Sequence, residues 1–338
     1  MLSLFNKYKP SYYEACKDLV KHSIGYSCSL FGLWYFKDSY LSMITIPILG
    51  IMNVRTFIIF HDCGHNSYTP SKKLNYVLGS ILGIFVFTPV SWSYSHHRHH
   101  LTAGNKENEL NDPQNETVLS TFTEYRDLKY KRHVYRIIMH PLIFFTLIPS
   151  FKFFILNRGS GILYKYQNHN KMQQNMKLIL YDTLFNNSGL FLLLVSMNQY
   201  GLLYHYLYSC MCSWSIGFIL FHNQHTFNPP YVVTDKKWNK KDSGLRGSSF
   251  IQIPSYLKYF TAGIEYHHIH HMNATIPGYN IQKLHEEISS TTNELDNIIK
   301  LSINDCYHNL WYSLYDEDNN KYISFAEAEL KIRFKHKI

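Results

Sequence analysis

"YSHHRHHLTAG", residues 94–104, places four histidines in eleven positions directly after the apolar run "LNYVLGSILGIFVFTPV" at 74–90. Two other segments repeat the pattern: "EYHHIHHMN" at 265–273 and the looser "FHDCGHN" at 60–66. In a helix, residues three and four apart share a face. His61 and His65 are four apart; His96, His99 and His100 stand at i, i+3 and i+4, as do His267, His270 and His271. Each segment can therefore aim two or three imidazoles at one point. His97 and His268 fall out of phase and are expected to hydrogen-bond locally. With 20 histidines in 338 residues, one such triplet arises by chance about 0.07 times per chain when matched as a template. Two triplets and a pair are not coincidence.

Any one segment alone has a plainer reading, as an ordinary helix face or a pH-sensitive surface patch. Together they read as a metal site. Eight in-phase imidazoles exceed one tetrahedral site, so two metals are expected. Nitrogen-only ligands, without an interleaved Glu-x-x-His motif, set the site apart from soluble di-iron carboxylate bundles. Imidazole accepts zinc, copper, iron or nickel, and ligand type alone does not choose among them. The setting beside apolar segments does. A lipid chain offers unactivated methylene groups, with no acidic proton and no electrophile, so acid–base and nucleophilic devices have nothing to act on. Molecular oxygen used with a redox metal can remove such hydrogens, and iron becomes the expected metal.

Composition agrees with a lipid setting for part of the chain. Aromatic residues make up 16% (28 Tyr, 22 Phe) and charged residues only 17%, yet the mean hydropathy is −0.22. A membrane base with a large aqueous cap fits both. Apolar stretches at about 22–37 and 41–60 pair across a Lys37-Asp38 turn, and 180–197 pairs with 201–221; each is near the length a bilayer crossing needs. Two more, 74–90 and 137–156, are interrupted, by Gly79, Gly83 and Pro89 in one and by Pro141, Pro149 and Lys152 in the other. If all histidine segments serve one site, they lie on one side of the bilayer, and the chain crosses an even number of times between 100 and 267. The second pair supplies two crossings, so 74–90 and 137–156 are expected to be re-entrant or interfacial. Lys7, Lys9, Lys17 and Lys21 before the first span, and Arg158, Lys165, Lys171 and Lys177 before the third, put that side in the cytosol. The expected architecture is an all-α integral membrane protein: one domain over 1–338, four transmembrane helices, and a cytosolic helical cap from 61–178 and 222–338.

Other classes are weaker. A formal charge of +9 suits anionic lipid or an acidic protein, but scattered Lys and Arg without a nucleic-acid motif argue against nucleic acid. The six cysteines lack CxxC spacing and read as reduced thiols. The start reads as lacking a cleavable secretory signal. No G-x-G-x-x-G opens a strand–helix unit and no HPGG haem signature occurs, so electrons must come from a separate donor. "DEDNNKYISFAE" at 316–327 spaces its acids like a calcium loop, but Lys321 sits where that loop needs glycine. A metal transporter would hold its ligands within spans or in irregular loops, not flanking spans in helical phase.

"HDCGH", "HHRHH" and "HHIHH", in this order and spacing, resemble the three histidine boxes of the membrane fatty acid desaturase family. The segment at 238–287, "WNKKDSGLRGSSFIQIPSYLKYFTAGIEYHHIHHMNATIPGYNIQKLHEE", is similar to the C-terminal region of bacterial-type acyl-lipid desaturases of the delta-12/omega-6 kind. "FHNQHTF" at 221–227 resembles the segment before the last box. The resemblance covers about residues 40–330 and implies two iron ions held by His61, His65, His96, His99, His100, His225, His267, His270 and His271. His225 rests mainly on it; His222, three residues earlier, is a weaker candidate. Asp62 and Glu265, adjoining the boxes, are candidates to orient the rings. The implied activity is O2-dependent insertion of a double bond into a lipid-linked fatty acyl chain, with ferredoxin or cytochrome b5 and its reductase as electron donor. Related hydroxylases, acetylenic-bond formers and carotenoid ketolases carry the same boxes and are the alternatives.

Overall fold

A computed structural model describes residues 2–109, 119–159 and 176–335. Four long helices form its base: α1 Tyr12–Tyr35, α2 Ser42–Gly64, α5 Met176–Gln199 and α6 Leu203–His225. Between them come α3 Lys72–Phe85 and α4 Ser93–Thr102. Ser11 opens α1 as N-cap, its hydroxyl accepting from the Glu14 amide at 3.1 Å, which satisfies one of the orphan donors of a helix start. The outer faces carry exposed Ile24, Phe31, Trp34, Met43, Ile44, Leu184, Phe191 and Leu192. Apolar side chains turned outward on this scale suit lipid, not water.

By length and composition, Ser42–Gly64, Pro141–Gly159 and Met176–Gln199 are apolar enough to cross a membrane. α1 and α6 have the length but dilute their apolar residues with Tyr, Ser and His. Pro141–Gly159 is divided into three short helices, Pro141–Phe144, Leu147–Phe154 and Leu156–Gly159.

Helices in lipid gain little by hiding apolar surface from one another, because lipid is equally apolar; close packing through small residues replaces that drive. α2 and α6 meet in this way. A Cβ added at Gly50 would lie 2.9 Å from both Cys212 Cβ and the Ser209 carbonyl. Gly50→Leu is accordingly expected to push α2 from α6, cost about 1–3 kcal/mol as an overpacking change, and lower the thermal midpoint of the protein in detergent. Leu49, Met52, Phe87, Phe153, Tyr206 and Trp214 fill the rest of this core, with the Phe153 and Trp214 rings stacked 5.7 Å apart.

α3 and the following helix at Val90–Thr102 are bent by 106°. Buried polar side chains hold the turn. Asn157 Nδ2 donates to the Phe87 carbonyl (3.3 Å), as does the Arg158 guanidinium, and Asn186 Nδ2 donates to that of Thr88 (3.2 Å). Asp182 accepts from the Ser91 amide at 2.7 Å. Irregular backbone among apolar helices needs such partners, since unsatisfied amides and carbonyls are costly there. This accounts for polar Asp182, Asn186 and Asn187 opening an otherwise apolar helix.

The part of the chain beyond α6 adds α7 His267–Met272, α8 Gly278–Thr291 and α9 Phe325–Lys335. Its core is Ile269, Ile276, Ile281, Leu284 and Ile288, and a smaller one joins Phe122 and Tyr125 to Leu314, Ile323 and Ile332. The all-α expectation needs one correction. Strands β1 Ser249–Ile251 and β2 Ile299–Leu301 pair in parallel, and β3 Leu314–Asp316 and β4 Lys321–Ile323 form an antiparallel hairpin. Three-residue strands have no room to show an alternation. The hairpin occupies the loop with calcium-like spacing: Lys331 Nζ donates to both Asp316 carboxylate oxygens at 2.7 Å, and Glu327 accepts from the Ser324 amide at 2.8 Å. An ammonium and a helix cap hold those acids.

Candidate metal centre

Four helices bring nine histidines to one rim of the base. α2 supplies His61 and, at its C-cap, His65; α4 supplies His96, His99 and His100; α6 ends on His225; α7 supplies His267, His270 and His271. None is more than 8% exposed. They form two groups. His61, His65, His96, His100 and His270 have ring nitrogens within 4.8 Å of one another, and so do His99, His225, His267 and His271.

Both HxxHH triplets are split between the groups, for a helical reason. At 3.6 residues per turn, positions i and i+4 differ by about 40° around the axis, whereas i+3 lies about 60° to the other side of i. His96 and His100 thus join one group and His99 the other; His267 and His271 stay together while His270 crosses over.

The Nε2 atoms face one another. His61 to His96 is 2.8 Å, His96 to His100 is 3.2 Å and His100 to His270 is 3.1 Å. In the second group, His225 stands 3.2 Å from His99 and 3.0 Å from His267. Lone pairs converging in this way repel unless a cation lies between them. Nitrogens this close together are within reach of one shared cation, given metal–imidazole bonds of about 2.1 Å. His65 Nε2 and His271 Nε2 are buried without a hydrogen-bond partner, a cost of about 1–3 kcal/mol each unless something else satisfies them. The residues fit a pair of metal ions.

Electrostatics point the same way. Burial first, then the neighbouring rings, hold His267, His270 and His271 well below the usual imidazole range. Neutral imidazoles keep the lone pairs that coordination requires. The outward nitrogens are oriented by the protein. His225 Nδ1–H donates to the Gly247 carbonyl at 2.9 Å. Asp62 Oδ1 lies 3.3 Å from His61 Nδ1, while its Oδ2 accepts from the Gly278 amide at 2.7 Å, at the start of α8. The Trp92 indole stacks on His96 with ring centres 4.4 Å apart. Asp62→Asn keeps the shape and removes the charge; it is expected to weaken metal retention about 10–100-fold, read as metal per chain after graded chelator dialysis.

The other histidines and the second carboxylate have separate employment. Glu265 is buried, but its carboxylate turns to the Thr261 hydroxyl at 2.7 Å and not to a ring, and burial raises its pKa. His222 donates from Nε2 to the Asn309 carbonyl at 2.9 Å and lies outside both groups. His97 is exposed. His268 hydrogen-bonds His285 at 2.9 Å, whose pKa is pushed down to about 4, mainly by burial. Sequence reading missed the Gly247 carbonyl and Trp92. A backbone acceptor leaves no mark in a sequence, and a tryptophan near a box looks like any other core aromatic.

An apolar cavity reaches both groups. Its walls include Val54, Phe57, Phe153, Trp214 and Phe218, and it is also lined by His61 and His96 of the first group and His267 of the second.

Comparison with known proteins agrees. Residues 38–297 match the model of the family described as fatty acid desaturase. A fatty acid desaturase of Bacillus subtilis (strain 168) is 30% identical over 308 residues, which is 87% of this chain and 82% of that one. An sn-1 oleoyl-lipid 12-desaturase of Picosynechococcus sp. is 24% identical, covering 81% of this chain and 76% of its own. An sn-1 acyl-lipid omega-3 desaturase (ferredoxin) of Nostoc sp. (strain 36) is 30% identical over a shorter 131 residues, 36% of this chain and 35% of its own. With its histidine groups, apolar helices and sequence match taken together, the chain belongs to the fatty acid desaturase family of membrane-bound oxidoreductases.

Proposed function

We propose that this chain uses O2 to introduce a cis double bond into a lipid-linked fatty acyl chain, in the delta-12/omega-6 manner. The single observation that carries this reading is the apolar cavity lined by His61, His96 and His267, histidines of both groups. His61, His65, His96, His100 and His270 would hold one iron, and His99, His225, His267 and His271 the other. Iron bound there supplies the one-electron and oxygen chemistry that unactivated methylenes demand.

The protein's part is placement and exclusion. Phe57, Phe153, Trp214 and Phe218 grip the chain so that one carbon–carbon bond rests beside the histidines; such positioning removes much of the entropic barrier. The buried walls keep water from the reacting carbons. The delta-12 assignment draws on the relatives named 12-desaturases. The ferredoxin named for two other relatives supports a soluble one-electron donor of that class, with cytochrome b5 as the other donor of this chemistry.

The proposed topology has α1, α2, α5 and α6 crossing the bilayer and the histidines on the cytosolic side. α2 and α6 both end at the site, so both run toward it. α5 and α6 supply two crossings between His100 and His225, which leaves Pro141–Gly159 in the interface despite its apolarity. Expression in a host lacking polyunsaturated lipids, with product identification by gas chromatography and mass spectrometry, tests the reading. New dienoic chains are expected. Hydroxylated products would overturn it.

A further inference from the structure

We propose that a polar cleft, separated from the acyl cavity by α2 and residues 263–265, is the docking site for a small acidic one-electron carrier protein. The inference rests on the proposed desaturase reading and names where its electrons enter. The cleft lies among the N-terminal part of α1, the end of α2, residues 258–265 and the start of α8. Its rim carries Lys17, Lys21 and Lys283, all exposed, with Lys258 half-buried beside them. The acids there do not cancel this charge. Asp18 is bound to the buried guanidinium of Arg55, and Glu265 is buried against Thr261, leaving Glu14 facing four lysines. A positive rim steers an acidic protein and fixes its orientation.

The floor of the cleft explains why the visitor should carry electrons. Gly278 lines it, and the Gly278 amide is bonded to Asp62, which contacts Nδ1 of His61. Glu265 lines it too, two residues before His267. A carrier seated here is one short bonded path from each histidine group. It also stays clear of substrate, because one segment divides the two hollows: Ile264 lines the acyl cavity, and Gly263 and Glu265 line the cleft. The same division holds along α2, where Val54 and Ile58 face the cavity and Arg55 the cleft. A lipid headgroup in the cleft could not lay its own chain in the cavity without passing through that segment.

The electron count sets the number of visits. Removing two hydrogens from the chain and reducing O2 to two waters takes two electrons and two protons besides those hydrogens. Each carrier is oxidised by one electron, so every double bond needs two encounters. Redox encounters of this kind have small, salt-sensitive interfaces.

The test uses the full chain in lipid nanodiscs, with a plant-type [2Fe–2S] ferredoxin and the soluble domain of cytochrome b5 as probes. The cleft variant is Lys17→Glu, Lys21→Glu and Lys283→Glu together. The control, Lys236→Glu, Lys237→Glu and Lys240→Glu, makes the same charge change at exposed positions outside the cleft. For at least one carrier, binding of the oxidised form is expected to weaken about tenfold or more in the cleft variant, and less than about twofold in the control. The donor KM should rise in parallel, with the acyl-lipid KM and iron content unchanged. Equal binding by both variants overturns the proposal, as does failure of both carriers to bind the unaltered chain. A changed acyl-lipid KM with donor KM unmoved would make the cleft a headgroup site and overturn it too. Carrier binding that depends on the cleft without any double-bond formation would strike the desaturase reading and leave the docking site standing, since binding of oxidised carrier needs no turnover.

Discussion

His99→Ala is expected to abolish new double bonds in an expressing host while the protein still inserts into the membrane. His99 belongs to the group of four, with Nε2 3.2 Å from that of His225 and its ring against His225, His271 and Phe221. Removing it leaves three imidazoles where four converge, and the remaining buried nitrogens cannot be satisfied by one another. Metal in that group should be lost, while the five-histidine group keeps its own, so iron per chain falls to about half of that in the unaltered protein. On the proposed reading, in which the reaction uses both metals, activity is expected to drop by about 10³-fold or more. His97→Ala is the matched control: the residue is exposed and, though its ring packs edge-on against that of His65, it lies outside both groups, and activity and iron should be largely retained. An active His99→Ala protein with full iron would sink the ligand assignment.

Gly217→Phe should be nearly as severe for a different reason. Gly217 lines the acyl cavity, and a Cβ built on it meets nothing within 4 Å. The helix has room for a Cβ there, and on the proposed reading a ring at this cavity-lining position is expected to enter the path of the acyl chain. Displacing a reacting carbon by an ångström costs on the order of 10²-fold in rate, so long acyl chains should lose about that much or more. Iron content and thermal midpoint should stay unchanged, which separates blockage from misfolding. Gly217→Ala, adding one methyl to open space, should be close to silent. Full activity of Gly217→Phe on long chains would show that the substrate lies elsewhere.

Much of the centre was legible before any coordinates. Helical spacing singles out His61, His65, His96, His99, His100, His267, His270 and His271, because i, i+3 and i+4 geometry is local and survives any tertiary arrangement. His97 and His268, out of phase, lie outside both groups, although the His97 ring packs edge-on against that of His65. His225 had no repeating pattern around it and came mainly from resemblance, and His222 was a weaker candidate because it shares a helix face with His225. These two lie three apart on one helix; only packing shows that His225 faces the rings while His222 spends its N–H on Asn309. Asp62 and Glu265 were indistinguishable as carboxylates next to boxes. Asp62 contacts a ring and Glu265 does not.

The amino-acid order by itself determined which residues are chemically equipped and how each short helix presents them, since both follow from side-chain type and 3.6-residue periodicity. Only the tertiary structure decided which imidazoles share a group, that an apolar cavity joins the two groups, and that a polar cleft approaches them from the other side. Those are relations between segments from 35 to 216 residues apart. They depend on how α2, α4, α6 and α7 pack, through contacts such as Gly50 on Ser209 and Asp62 on Gly278, and no local pattern in a chain encodes the distance between two such helices.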